Sequence, residues 1–222
     1  PELAAAGLVN NIFGLVFVSY MGFTYGLTPI IGRLYGEERT DCIGQKVRNS
    51  FFANMITGAI FTLVLILLYF NLGHIGQPEE LLTLIRPYFL VNLASVFFMG
   101  IFFTMKQFLD GIGQTKVAMW AMIGGNVVNI LGNWLLIYGV AGFPELGLLG
   151  AGISTLVSRI LMALTMVGIV MVCRKFATYR HNIIHSEINK VDFKEMNRLG
   201  WPVALQLGME SAAFTLSCVM VG

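Results

Sequence analysis

The chain has 222 residues, 14 Lys and Arg against 12 Asp and Glu for a net charge of +2, 56% hydrophobic and only 12% charged positions, and a mean hydropathy of +0.76. A soluble domain of this length carries about twice that fraction of charge, so composition excludes an ordinary water-soluble fold. The charges cluster between long apolar runs, which is the pattern of a polytopic membrane protein.

In chain order, residues 3–31, 51–72, 81–109, 117–138, 148–173 and 201–221 are each predicted to form a transmembrane helix, because each reaches the roughly 20 residues needed to cross a hydrocarbon core. The fold class is therefore all-α, with six spans. The third span carries Arg86 and Pro87 near its beginning. They fit a first turn in the headgroup layer, where an arginine can snorkel and a proline needs no hydrogen-bond donor.

Positive charge alternates between successive loops. The first loop holds Arg33, Arg39, Lys46 and Arg48, the third Lys106 and Lys116, and the fifth Arg174, Lys175, Arg180, Lys190, Lys194 and Arg198; the second and fourth hold none. Loops one, three and five are thus predicted to be cytoplasmic. Trp120 and Trp201 then fall at inner ends and Trp134 and Tyr138 toward an outer end, as aromatic belts require. Arg86 and Arg159 are the only basic residues within spans, and both are expected near membrane ends. Without an initiator Met, and with an apolar run that reaches Gly222, the chain is expected to be a portion of a longer polytopic protein.

Residues 174–198 form a polar stretch long enough to link two helix bundles. Asp192 followed by Glu195 reads as a variant capping box, and Phe193, Met196 and Leu199 fall at helical spacing, predicting a short helix at the inner surface. Cys42, Cys173 and Cys218 lack pairing or ligand spacing. His181 and His185, four apart, lack a third metal ligand. None of the three histidines lies within a span, which disfavours an intramembrane enzyme.

Polar groups inside the spans point to function. Glu210 sits near the middle of 201–221, where a carboxylate costs on the order of 3 kcal/mol to insert and is usually kept for use. Asn126, Asn129 and Asn133 share one helix face by their spacing of three and four. For Asn126, interhelical hydrogen bonding is the expected role. Thr155 and Ala151 are four apart on the next span, and a hydroxyl back-bond to the helix is the plain alternative for Thr155. Ser154 and Ser158 are expected to hydrogen-bond and pack, and Gly147, Gly150 and Gly152 to allow close helix approach.

Several segments together carry a family resemblance: PELAAAGL at 1–8, GLTPIIGRLYG at 26–36, FLDGIGQT at 108–115, NILGNWLLIYG at 129–139, GLLGAGISTLVS at 147–158, and the stretch 200–222. In this order they resemble the second to seventh helices of the multidrug and toxic compound extrusion (MATE) transporters, in their NorM-like branch. The resemblance implies a twelve-helix, two-lobe architecture. Residues 1–173 then form five helices of the first lobe, 174–199 the cytoplasmic inter-lobe linker, and 200–222 the first helix of the second lobe. It further implies that Asn129, Asn133, Thr155 and the Ala151 carbonyl belong to a first-lobe Na⁺ site beside an acidic residue of the first helix. Glu210 and Phe214 match second-lobe cavity positions, with Glu210 in cation and proton coupling. Asn133 departs from the Asp found at the matching place in the DinF-type branch. The implied function is antiport of cationic drugs or dyes against Na⁺ or H⁺ in the cell membrane. No cofactor and no nucleic-acid partner are expected, and the site requires the remainder of the same polypeptide. A flippase for lipid-linked saccharides and a passive channel are the alternatives.

Overall fold

The computed structural model describes residues 2–74 and 79–221, and among these every regular element is helical. The elements are α1 (Glu2–Thr24), α2 (Leu27–Gly36), α3 (Thr40–Asn71), α4 (Glu79–Gly111), α5 (Thr115–Ile137), α6 (Gly147–Val172), α7 (Ala177–His185) and α8 (Lys190–Val221). Pro1 and Gly222, the expected cut ends, lie outside the described residues, as does the side chain of Cys218.

Five stretches are long and apolar enough to cross a membrane: Glu2–Gly36, Thr40–Asn71, Leu81–Gly111, Thr115–Ile137 and Gly147–Val172. They coincide with the first five expected spans. The sixth expected span lies in α8, whose 32 residues are also long enough, although Gln206, Glu210 and Ser211 interrupt its apolar run.

Hydropathy is continuous across 3–31, yet the helix breaks there. Tyr25 and Gly26 form a turn between α1 and α2, and a Cβ on Gly26 would lie 2.9 Å from the Gly200 nitrogen of α8. The α4–α5 turn closes with Gly113 at φ 74°, while the Gln114 N–H reaches back to the Leu109 carbonyl at 2.7 Å. That left-handed residue and long back-bond end a helix in the Schellman manner.

Helix α4 is the central element, packed by α6, α1, α3 and α2, while α5 pairs with α6 and α8 runs along α1. Two apolar clusters hold the bundle. One gathers Phe23, Leu27, Phe102, Phe108 and Tyr179, and the other Val9, Phe13, Leu65, Phe89 and Leu148. In lipid, helices associate through close packing because the hydrophobic effect offers no preference between a neighbour and a lipid tail. Small residues supply that closeness. A Cβ on Gly150 would meet the Leu136 carbonyl at 2.5 Å, and one on Gly152 the Tyr88 ring at 2.9 Å. Gly147 instead takes a φ of 51°, so its place is set by backbone conformation. The α1–α8 seam is similar: Cβ atoms on Gly22 and Gly208 would lie 2.9 Å from the Val203 oxygen and 2.5 Å from the Ser19 hydroxyl.

The basic loops meet at one end of the bundle, as their charge pattern predicts. Lys46 pairs with Asp192 at 2.8 Å and with Glu195, Arg33 reaches Glu195 at 3.2 Å, and Lys175 donates to Gln114 at 2.7 Å.

Three local expectations are corrected. The short helix expected around Phe193 is the beginning of α8, which continues through Pro202. Its cap is Asn189, whose side-chain oxygen accepts from the Val191 N–H at 2.9 Å, while Asp192 and Glu195 turn to Lys46. Arg86 and Pro87 lie well beyond the first turn of α4, because that helix begins at Glu79. Arg159 is not near a membrane end: it lies at the middle of α6.

Candidate ion and substrate site

Helices α5 and α6 bring four of the expected site residues together. The Asn129 amide points at the hydroxyls of Thr155, Ser158 and Ser154 at 3.2, 3.4 and 3.5 Å. Asn133 donates to the Asn129 side-chain oxygen at 3.3 Å, as expected for residues one turn apart. Ser154 donates to the Asn129 carbonyl at 2.8 Å, Thr155 back-bonds to the Ala151 carbonyl at 2.9 Å, and Ser158 to the Thr155 carbonyl at 2.9 Å. Gly132 makes the meeting possible, since a side chain there would strike the Ser154 hydroxyl.

The Asn133 side-chain oxygen is buried without a hydrogen-bond partner among the described residues. A buried carbonyl oxygen is rarely left unpaired, and such an oxygen is a hard donor that suits a small cation. The surrounding donors are neutral amide, hydroxyl and carbonyl oxygens, so the locus fits Na⁺ when a carboxylate supplies the charge. Asn126 is exposed and makes no interhelical hydrogen bond among the described residues, contrary to its expected role.

Glu210 and Phe214 stand apart from this cluster. Both are exposed on α8, which packs on α1 with edges touching α2 and α3. Gly208 meets Ser19 of α1, and Arg159 meets Phe17 of the same helix with its guanidinium 4.1 Å from the ring centre. Glu210 and Arg159 therefore approach α1 at nearly the same level along its axis.

Arg159 belongs to a second polar layer that sequence reasoning missed. Its Nη1 donates to the Ser95 hydroxyl; Ser95 donates to the Asn92 carbonyl at 2.5 Å, Asn92 to the Tyr88 carbonyl at 3.0 Å, and the Tyr88 hydroxyl to the Asn10 side chain at 2.9 Å. Tyr88, Asn92 and Ser95 are buried on one face of α4. Their four-and-three spacing was the available signal, together with the central place of Arg159 in its span. Among the described residues no group of three or more His, Cys, Asp and Glu could hold a metal; His181 and His185 stack on each other at 4.7 Å.

A bundle of membrane-length helices with buried amides and hydroxyls gathered between spans defines a polytopic membrane transport protein. The MatE family model matches residues 1–135, and the chain belongs to that family of transporters. It is 27% identical over 222 residues to a probable multidrug resistance protein NorM of Geobacillus kaustophilus, covering 100% of this chain and 49% of that protein. Over 179 residues it is 29% identical to a probable NorM of Photorhabdus laumondii, covering 81% and 40%. A solved inward-facing multidrug resistance MATE family transporter of the MOP superfamily superposes with a TM-score of 0.82 at 25% identity, covering 96% of this chain and 47% of that one. The chain thus spans about half the length of the relatives it matches.

Proposed function

We propose that the full-length protein is a secondary active antiporter of the cell membrane that exports organic cations such as drugs or dyes in exchange for Na⁺ or H⁺. Two lobes rock about a central cavity: residues 1–173 belong to the first, 174–199 to the linker, and 200–222 begin the second. The observation that carries the reading is the unpaired, buried Asn133 oxygen within the Asn129, Thr155 and Ala151 cluster. Neutral donors cannot release a proton, so this locus serves Na⁺; Glu210 can exchange either ion for a cationic substrate beside Phe214.

In proteoliposomes of the full-length protein, an imposed Na⁺ or proton gradient is expected to drive a cationic dye against its own gradient. Dye flux only down its own gradient would instead indicate a passive channel. Asn133→Ala is expected to raise the Na⁺ concentration for half-maximal exchange by roughly tenfold, the effect of one charge-assisted contact. An unchanged Na⁺ dependence removes the site assignment. Transport of lipid-linked saccharides is the second reading, favoured by the mid-span positive charge of Arg159. Export of the dye by the purified protein argues against it.

A further inference from the structure

We infer that Arg159 is a binding group for a carboxylate carried by the transported molecule, so that the substrates include aromatic compounds bearing an acid group as well as a cation. The inference rests on the efflux reading and adds a substrate class to it.

A guanidinium keeps its charge under all ordinary conditions, and a charge at mid-depth in a bilayer needs compensation. Arg159 lies at the centre of α6, yet no Asp or Glu among the described residues pairs with it. What it touches is neutral: the Ser95 hydroxyl on one side and the face of Phe17 on another. Ser95 is itself held by its bond to the Asn92 carbonyl, which aims its oxygen at the arginine. One hydroxyl and one ring engage only part of a five-donor fork. The side chain is only partly buried, so the remaining donors can reach a visiting group.

A planar carboxylate matches that fork with two parallel hydrogen bonds, and Phe17 stacked against the guanidinium restricts its rotation. Arg159 also lies one turn beyond Thr155, on the side of the bundle where the oxygen cluster sits. The Glu210 carboxylate is not its counter-ion, because α1 stands between them: Phe17 and Ser19, two residues apart on that helix, face Arg159 and the Gly208 backbone respectively. Successive positions two apart on a helix point to opposite sides.

Rhodamine 110, which carries a free carboxylate, and rhodamine 123, its methyl ester, form a matched pair of probes. Uptake of each is measured in energised everted vesicles containing the full-length protein. The wild-type protein is expected to move both dyes, and Arg159→Gln to lower the ratio of rhodamine 110 to rhodamine 123 uptake about tenfold. Arg159→Lys, which keeps the charge without the fork, is expected to restore part of that ratio. An equal loss of both dyes in Arg159→Gln, in protein that still elutes as a single folded species, assigns the arginine to an internal partner and overturns the inference. A ratio unchanged from wild type overturns it as well. Wild-type uptake of rhodamine 123 but not of rhodamine 110 overturns the substrate class while leaving efflux intact. Uptake of neither dye removes both readings.

Discussion

Cells producing the full-length protein with Glu210→Gln are expected to accumulate dye to the level of cells lacking the transporter. Glutamine keeps the size of the side chain and its hydrogen-bonding capacity but can neither hold a negative charge nor release a proton. An antiporter needs one of those two abilities at the point where substrate and coupling ion exclude each other. Glu210 is on the exposed face of α8, so within this chain the substitution disturbs no packed core. Export is the quantity to follow, with the amount of protein in the membrane as control. Dye efflux at the wild-type rate in the Gln variant would sink the role assigned to this carboxylate.

The second large effect concerns stability. The Lys46 side chain is 16% exposed and that of Asp192 9% exposed, so Lys46→Met leaves Asp192 enclosed without a cation, with the Asn49 amide at 3.0 Å as its remaining partner. Breaking a buried pair on one side costs on the order of 3 kcal/mol, mostly as the penalty of the stranded charge. The detergent-solubilised full-length variant is expected to unfold at a clearly lower temperature than wild type. Adding Asp192→Leu to Lys46→Met should recover most of the loss. If the double variant is less stable than the single one, a stranded carboxylate is not the cause.

The same cluster gives the protein an acid limit. The hydrogen bond from Lys46 is the main reason the Glu195 carboxyl is held below the usual carboxylate range; partial burial opposes it, and the charges of Lys46 and Arg33 add to it. A depressed carboxylate stabilises the folded state above its unfolded value, here 4.5, and that contribution disappears as pH falls through the lower folded value. Thermal stability should therefore drop on acidification below about pH 4.5 more steeply in wild type than in Glu195→Gln. Parallel curves for the two proteins would show that Glu195 carries no such linkage.

Spans and their charge pattern were legible because a bilayer selects on composition alone: length fixes what can cross, and loop charge fixes which ends gather. Finer features depend on neighbours that no local pattern reveals. The break at Tyr25 and Gly26 is invisible to hydropathy, and its closeness to the Gly200 backbone emerges only once α8 lies against α1. Phe193, Met196 and Leu199 predicted a helix correctly, but its continuation past Pro202 depended on neighbours that hold the rod straight through a missing hydrogen bond. Asn129 and Asn133 could be paired from register, and Thr155 with Ala151 likewise. That these two pairs face each other follows from the absence of a side chain at Gly132. Arg159 was misplaced because counting basic residues by loop says nothing about the depth of one that lies inside a span.

Helix α8 is pinned at its beginning by Asp192 and Glu195, while further along it rests on α1 through glycines that offer no knobs to interlock. A rod fixed at one end and smooth along its side moves by swinging about a fulcrum. Glu210 lies eighteen residues beyond Asp192, or about 27 Å along the axis, so a swing of roughly 10° carries the carboxylate about 5 Å sideways. A small tilt at the cytoplasmic end is thereby converted into a displacement large enough to move an acid group between two surroundings.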